Sequence, residues 1–139
     1  MAIFLNNKVG FKIATINLSD HVTSFTLNRQ ADQLEVTAMG DTAHKFVTGL
    51  SADTITVSFL NDTAAANVLA TLQAAYGTTV AFAAVQDSSA AISATNQLYS
   101  GTILVDNITD INGAVADEAT LDITFTCNSK TTLASTGTW

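Results

Sequence analysis

Residues 54–59 read TITVSF, and their alternation decides the fold class of this chain. Apolar side chains occupy every second position, and threonine or serine fills the positions between them. A period of two predicts a β-strand with one apolar and one polar face. Residues 121–127 (LDITFTC) repeat the pattern in a second strand. Together these segments favour a mainly β protein.

Shorter signals of the same kind extend the β pattern to other parts of the chain. They predict strands at Phe11–Ile13, Thr23–Leu27, Leu34–Thr37, Thr79–Val85 and Leu98–Val105. The last of these is apolar on both faces, which indicates a central strand or a strand at an interface. Asn112-Gly113 predicts a hairpin turn between its flanking strands.

One segment departs from the β pattern. Residues 62–76 (DTAAANVLATLQAAY) place one apolar stripe at helical spacing, formed by Ala65, Val68, Leu69, Leu72 and Tyr76. Asn61 or Asp62 is predicted to cap the first turn, and Gly77 stands where a left-handed residue ends a helix. The predicted fold is therefore mainly β, a β-sandwich or open barrel flanked by one α-helix at about residues 62–76, in a single domain over residues 1–139.

The composition points to a surface that is covered by a partner. Hydrophobic residues make up 47% of the 139 residues, charged residues only 12%, and the mean hydropathy is +0.31. Few charges remain to keep a monomer in solution, which favours assembly, for example of copies of the same chain. A neutral surface rich in threonine, serine and asparagine, as in many secreted β-domains, is the alternative.

The net charge argues against binding to phosphate groups. Twelve acidic residues outnumber five scattered basic ones, which gives a formal charge of −7. Nucleic-acid binding requires clustered cations that displace counterions. A negative surface would still suit a wall along which DNA slides without sticking.

The residues that usually carry chemistry are scarce. Cys127 is the only cysteine, so no internal disulfide can form, and His21 and His44 lie too far apart in sequence to suggest a zinc site. No glycine-rich phosphate loop or nucleophile motif occurs, so neither a cofactor nor an enzymatic activity is predicted. The apolar run in MAIFLNNKVG is too short for a secretory signal, and no run reaches the roughly 18 residues of a membrane span.

The segment LEVTAMGDTAHKFVTGL, residues 34–50, holds the best candidate for acid–base chemistry. Asp41, Thr42 and His44 could act as orienter, nucleophile and base. Catalytic triads, however, are assembled from distant parts of a chain. Gly40-Asp41-Thr42 is interpreted more simply as a turn, in which glycine supplies an unusual φ angle.

Acidic residues cluster in VDNITDINGAVADEATLD, residues 105–122. They are Asp106, Asp110, Asp117, Glu118 and Asp122. A solvated acidic hairpin, a wall that faces DNA, and a weak calcium site are the three interpretations, in that order, because no regular calcium-ligand spacing appears. The polar tail at about residues 129–139 ends in Trp139, which is predicted to dock on a neighbouring subunit.

The order of these features resembles the major tail tube proteins of long-tailed, siphovirus-like bacteriophages, over roughly residues 8–130. The pattern E-V-T-x-M-G-D-T-x-x-x-F-x-x-G-L begins at Glu35 and ends at Leu50, and the strand at Thr54–Phe59 follows it. The resemblance implies a structural virion protein that forms hexameric rings, stacked into a hollow tube that delivers DNA to the host. It also implies that the long loop at about residues 28–53 reaches the adjacent ring.

The resemblance implies partners and a location as well. The partners are other copies of the chain, the tape measure, tail terminator and tail tip proteins, and genomic DNA that passes through the lumen without specific binding. The chain would be assembled in the host cytoplasm and reside in the virion tail, without membrane insertion. A capsid decoration or head–tail joining protein is the alternative, and a β-sandwich binding or adhesion domain is a weaker one.

Site residues follow from this resemblance as expectations. The subunit interface is expected at Leu34, Val36, Met39, Gly40, Asp41, Thr42, His44, Phe46, Val47 and Leu50. The acidic cluster, with the strand at Leu98–Val105, is a candidate to face the lumen. Trp139 is the candidate for docking of the tail.

Overall fold

The computed structural model describes residues 8–65 and 67–139. Residues 1–7, at the start of the predicted domain, and Ala66, within the predicted helix, lie outside the described residues. Strand accounts for 44% and helix for 8%, which confirms the mainly β class. The strands are β1 (Gly10–Ile13), β2 (Ile16–Asn17), β3 (Val22–Asn28), β4 (Ala31–Glu35), β5 (Phe46–Ser51), β6 (Thr54–Leu60), β7 (Thr79–Val85), β8 (Leu98–Leu104), β9 (Thr120–Cys127) and β10 (Thr132–Ala134), and the helix is α1 (Val68–Ala75).

Eight strands form one antiparallel sheet in the order β2-β1-β7-β8-β9-β6-β3. The eighth strand, β10, pairs with the first half of β8, whereas β9 pairs with its last two residues, so both lie along the same edge. The sheet curls strongly. Although β1 and β3 lie near opposite ends of the strand order, the ring centroids of Phe11 on β1 and Phe25 on β3 are only 4.9 Å apart. Of the two architectures that the sequence left open, a β-sandwich and an open barrel, this single curved sheet corresponds to the open barrel.

The core fills the concave side of the curled sheet. Ile55, Val57 and Phe59 of β6 are fully buried, as their alternation predicted. The apolar residues of β9 are buried beside them, and Val68 and Leu72 bring the helix onto the same cluster. Each of these side chains contributes about 1.5–3 kcal/mol through removal from water.

The helix begins later than its sequence pattern suggested. The predicted start at residue 62 and the predicted cap at Asn61 or Asp62 are wrong, since α1 begins at Val68 and its N-cap is Asn67. The Asp62 carboxylate accepts hydrogen bonds from the Ala64 N–H at 2.9 Å and the Asn67 amide at 2.8 Å, which favour a local turn over a helix. The end is as expected: Gly77 has φ +79° and follows the helix directly after Tyr76.

The connection from β8 to β9 differs from the predicted hairpin. The chain turns at Ala114–Asp117 instead of at Asn112-Gly113, and the two strands share only two residue pairs. The cause lies at Val105. Its N–H donates to the Thr78 carbonyl at 3.0 Å, and its carbonyl accepts the Gly77 N–H at 2.7 Å. These bonds hold the chain beside the end of the helix, and residues 105–119 run as an irregular segment from the end of β8, where Leu104 pairs with Thr126, to the start of β9 at Thr120.

Two predicted irregular regions contain more strand than expected. In the excursion at residues 28–53 one strand was predicted at Leu34–Thr37, whereas the structure has a β-hairpin of β4 at Ala31–Glu35 and β5 at Phe46–Ser51. The polar tail contains β10. Among the described residues, no helix is long and apolar enough to cross a membrane.

Candidate subunit interface

The β4–β5 hairpin pairs only with itself. Its register places Leu34 opposite Val47 and Glu35 opposite Phe46, in a sheet of two strands separate from the main one. An isolated two-stranded hairpin is only marginally stable in water. The hairpin therefore depends on its anchorage to the body, and on whatever covers it.

The apolar side chains of the hairpin lie on the surface. Met39 is fully exposed and Leu50 is 81% exposed, and four further residues are about half exposed, namely Leu34, Val36, Phe46 and Val47. Single exposed apolar residues are ordinary, but six on one short hairpin indicate a candidate interaction surface. All six are among the residues that the sequence predicted for the interface.

The tip of the hairpin is held by local polar contacts. Gly40 has φ +90°, and the Asp41 carboxylate accepts the Ala38 N–H at 2.8 Å. Lys45 Nζ lies 2.7 Å from the same carboxylate. This ammonium, with the Ala38 N–H, lowers the pKa of Asp41. The geometry agrees with the turn interpretation of Gly40-Asp41-Thr42.

The acid–base arrangement considered for this loop is not assembled. Asp41 pairs with Lys45, whereas His44 Nδ1 lies 2.7 Å from the Glu35 carboxylate across the hairpin. No hydrogen bond joins Asp41, Thr42 and His44 to one another within the described part of the chain. His44 and Lys45 instead place polar groups beside the apolar side chains.

The root of the hairpin is fixed by a buried carboxylate that sequence reasoning missed. Asp53 is 3% exposed, and it accepts the Gln30 N–H at 3.0 Å and the Thr131 N–H at 2.9 Å. Burial alone would raise the pKa of Asp53, but the hydrogen bonds from Thr131 and Gln30, with the charge of Arg29, lower it. Asp53 therefore ties the hairpin to the segment that leads into β10.

A second polar network fixes the short turn between β2 and β3. His21 Nδ1 lies 2.8 Å from Asp20 and Nε2 lies 2.8 Å from Asp62. The hydrogen bond to Asp62 is the main cause that raises the pKa of His21. Partial burial opposes this shift, and the nearby Asp20 carboxylate adds to it. His21 is thus a structural residue that links this turn to the segment before the helix.

The structure separates the acidic cluster into two parts. Asp106, Asp110, Asp117 and Glu118 lie on the irregular segment at the end of the sheet, whereas Asp122 lies on the solvent face of β9. Asp110 accepts a hydrogen bond from the Gln73 amide at 3.1 Å. Over residues 8–65 and 67–139, no three metal-ligating side chains come together, so nothing here supports the calcium interpretation.

Asp122 belongs to a face of hydroxyl side chains that the sequence did not predict. The solvent faces of β3, β6 and β9 align in register rows, Asn28–Thr54–Thr126, Thr26–Thr56–Thr124 and Ser24–Ser58–Asp122. The strand alternation contained the signal, but the register that stacks the rows depends on pairing between distant segments. The face is polar, nearly neutral and free of basic side chains.

Trp139 packs against its own chain. A Cβ atom on Gly10 would lie 2.5 Å from Trp139 Cζ2, so the indole occupies the space above this glycine. Lys12 Nζ lies 4.2 Å from the ring centre, in cation–π geometry. The indole Nε1 is buried without a hydrogen-bond partner in the described residues. Docking of Trp139 on a neighbouring subunit stays a prediction.

Comparison with known proteins places the fold. No protein-family model matches the chain, and no curated protein matches it in sequence. A chain in the virion of a native gene transfer agent particle matches with a TM-score of 0.70 and 11% identity, over 95% of this chain and 99% of that one. A chain in the tail of an empty gene transfer agent particle, refined with C6 symmetry, matches with a TM-score of 0.69 and 12% identity, over 96% and 99%. The chain therefore shares, over nearly its whole length, the fold of a protein from the tail of these particles.

Proposed function

We propose that this chain is the tube subunit of a phage-like tail, and that it assembles into hexameric rings stacked around a lumen. The observation that carries the proposal is the self-paired β4–β5 hairpin, which exposes six apolar side chains on a fold shared with a C6-symmetric tail. Monomeric proteins rarely expose so many apolar side chains on one element.

The hairpin is the element that joins one ring to the next. It forms a sheet separate from the main one, and the polar groups of Asp41, His44 and Lys45 lie near its tip beside the apolar residues. An apolar centre with a polar rim is the usual anatomy of a protein interface. The ten interface residues predicted from the sequence all lie on β4, β5 or their connection.

Open strand edges supply the contact within a ring. β3 has seven residues and ends the main sheet. Within the described residues, β9 pairs beyond β6 only through Thr126 and Cys127, which leaves a second edge without a strand partner at residues 121–125. Pairing of one edge with the other on the next copy is heterologous, and it closes into a ring when the rotation between copies is one sixth of a turn. Closure would protect edges that otherwise invite aggregation.

The hydroxyl face of β3, β6 and β9 suits the wall of the lumen. Each copy carries a formal charge of −7, so six copies carry −42. DNA would pass such a wall without adhering, because no clustered cations hold its phosphates. Asp122 would lie within this wall, and the other four acidic residues would border it at the end of the sheet.

The remaining assignments rest on the same proposal. The chain would reside in the virion tail after assembly in the host cytoplasm, act without a cofactor and catalyse no reaction. Tape measure, tail terminator and tail tip proteins would be its other protein partners.

Assembly of the purified chain tests the proposal. Sedimentation velocity and negative-stain electron microscopy over rising protein concentration should show rings and stacked tubes with a central hole. Monodisperse monomers at high concentration would contradict it. A capsid decoration protein would also bind a virion, but it would not form tubes on its own.

A further inference from the structure

The connection between β8 and β9 contains a dipeptide that the fold does not use as a turn. Asn112 is the one asparagine of the chain that precedes a glycine. The pair was expected to form a hairpin turn, but the chain turns at Ala114–Asp117 instead. The peptide bond between Asn112 and Gly113 is therefore not held in the hydrogen-bonded geometry of a two-residue hairpin loop.

The Gly113 peptide nitrogen is open to its surroundings. Asn112 and Gly113 are both exposed, on the irregular segment at residues 105–119. Within residues 8–65 and 67–139, the Gly113 N–H donates no hydrogen bond. A Cβ atom placed on Gly113 would meet no atom of the described chain within 4 Å. Neither a hydrogen-bond partner nor a neighbouring side chain thus restrains this nitrogen.

The Asn112 side chain ties the irregular segment to the next strand. Its Nδ2 donates to the Thr120 carbonyl at 3.0 Å and lies 3.3 Å from Thr120 Oγ1. Thr120 is the first residue of β9. The bond to the carbonyl requires a donor, which an amide supplies and a carboxylate does not. Loss of the amide would therefore break this tie.

We infer that Asn112 is a site of spontaneous deamidation, which releases the irregular segment from Thr120. The Gly113 nitrogen attacks Asn112 Cγ and closes a cyclic succinimide, while the Asn112 amide leaves as ammonia with the proton of the Gly113 N–H. Water then adds to either carbonyl of the ring and opens it to aspartate or isoaspartate. The attack is intramolecular, and the missing side chain of glycine leaves its path open.

Both products change the contact with β9. A carboxylate at position 112 places an acceptor oxygen against the Thr120 carbonyl, where the amide placed a donor. Isoaspartate also adds one carbon atom to the main chain. Either product takes the formal charge of each copy from −7 to −8. The extra charge falls on a segment that already carries Asp106, Asp110, Asp117 and Glu118.

Incubation of the full chain at mildly alkaline pH tests the chemistry. Isoaspartate is quantified by enzymatic methylation with labelled S-adenosylmethionine and is located by peptide mass spectrometry. Gly113→Ala is the matched control, because its methyl group enters open space and Gly113 does not have a positive φ. Wild type should accumulate isoaspartate at residue 112. The Gly113→Ala variant should do so at least about tenfold more slowly, which corresponds to about 1.4 kcal/mol in the activation barrier.

The structural consequence has its own measurement. Asn112→Asp introduces the aspartate product directly, and hydrogen–deuterium exchange over residues 105–120 should be faster in this variant than in wild type. Asn107→Asp adds the same charge at an exposed side chain that has no hydrogen bond within the described residues, and it should leave the exchange unchanged.

Two results would overturn the inference. One is aged wild type without isoaspartate at residue 112, or with no more of it than Gly113→Ala. The other is exchange in Asn112→Asp that matches wild type, which would show that the bond to Thr120 does not hold the segment. Neither measurement requires assembly of the chain, so the inference and the proposed function can fail separately.

Discussion

The Asp53 carboxylate accepts the backbone N–H of Thr131 at 2.9 Å, although 78 positions separate the two residues. Its other oxygen accepts the N–H of Gln30, at the start of the hairpin. Asp53 directly precedes β6, and its one buried side chain thus joins the hairpin root to the chain that enters β10. Because a hairpin of two strands is weak alone, this junction fixes the direction in which it projects.

Asp53→Ala should destabilise the protein. It removes a charged acceptor from two backbone N–H groups, and hydrogen bonds to charged groups contribute about 1.5–3 kcal/mol each. We expect a loss of about 2–4 kcal/mol in the free energy of unfolding, measured by urea denaturation, since the two bonds share one anion. Asp32→Ala, an exposed change on β4 itself, is the matched control and should stay within about 0.5 kcal/mol.

The same residue gives stability that depends on pH. The pKa of Asp53 is lowered in the folded state. Its contribution is therefore complete above the unfolded pKa of about 3.9, and it is lost as pH falls through the lower folded pKa. Wild type should lose stability on acidification below about pH 4 more steeply than Asp53→Asn. Equal slopes would show that Asp53 does not carry this dependence.

His21 predicts the opposite dependence. Its pKa is raised in the folded state, chiefly by the bond to Asp62. The stability it contributes is present below the unfolded pKa of about 6.5 and is lost as pH rises through the folded pKa. Thermal unfolding between pH 5 and 9 should show a decline in wild type that His21→Gln lacks. His44→Gln, at a largely exposed histidine, should retain the decline.

The packing of Trp139 predicts a specific defect at Gly10. A Cβ atom there would lie 2.5 Å from the indole, so Gly10→Ala should displace Trp139. Because the chain has one tryptophan, its fluorescence reports this directly, as a red shift and greater quenching by iodide. Gly10→Ala should cost little stability in a Trp139→Ala background. A full cost in that background would assign it to the strand, not to the indole.

The exposed hairpin predicts variants that fold but do not assemble. Met39→Asp and Leu50→Asp add a charge to side chains that are fully and 81% exposed, respectively, so stability should change by at most about 0.5 kcal/mol. Tube elongation should be blocked, because a charge would be buried in the contact. Ala91→Asp adds the same charge on an exposed connection and should leave elongation intact.

Local pattern was sufficient where one face of a strand meets the core. The alternation around Val57 predicted β6, and Leu121–Cys127 predicted β9, because burial on one side imposes a period of two. β5 was missed because it has no such face against the core. Phe46 and Val47 are adjacent and both exposed, so no core face imposes alternation on this strand.

Contacts between distant residues explain the other differences. The Asn112-Gly113 turn signal was overridden because the backbone of Val105 is hydrogen-bonded to Gly77 and Thr78, just after the helix. The helix pattern at Ala65 was overridden by the side-chain bonds of Asp62. The role of Asp53 depends on Thr131, and no spacing in the sequence connects the two. The exposed apolar residues of the candidate interface were visible in the sequence, but the hairpin that displays them was not.

A cryo-electron microscopy reconstruction of the assembled protein tests the central claim most directly. The account predicts sixfold rings stacked along an axis, with the β4–β5 hairpin of each subunit in contact with the adjacent ring and Met39 and Leu50 buried there. An assembly in which the hairpin remains free in solvent, or one without stacked rings, would contradict it.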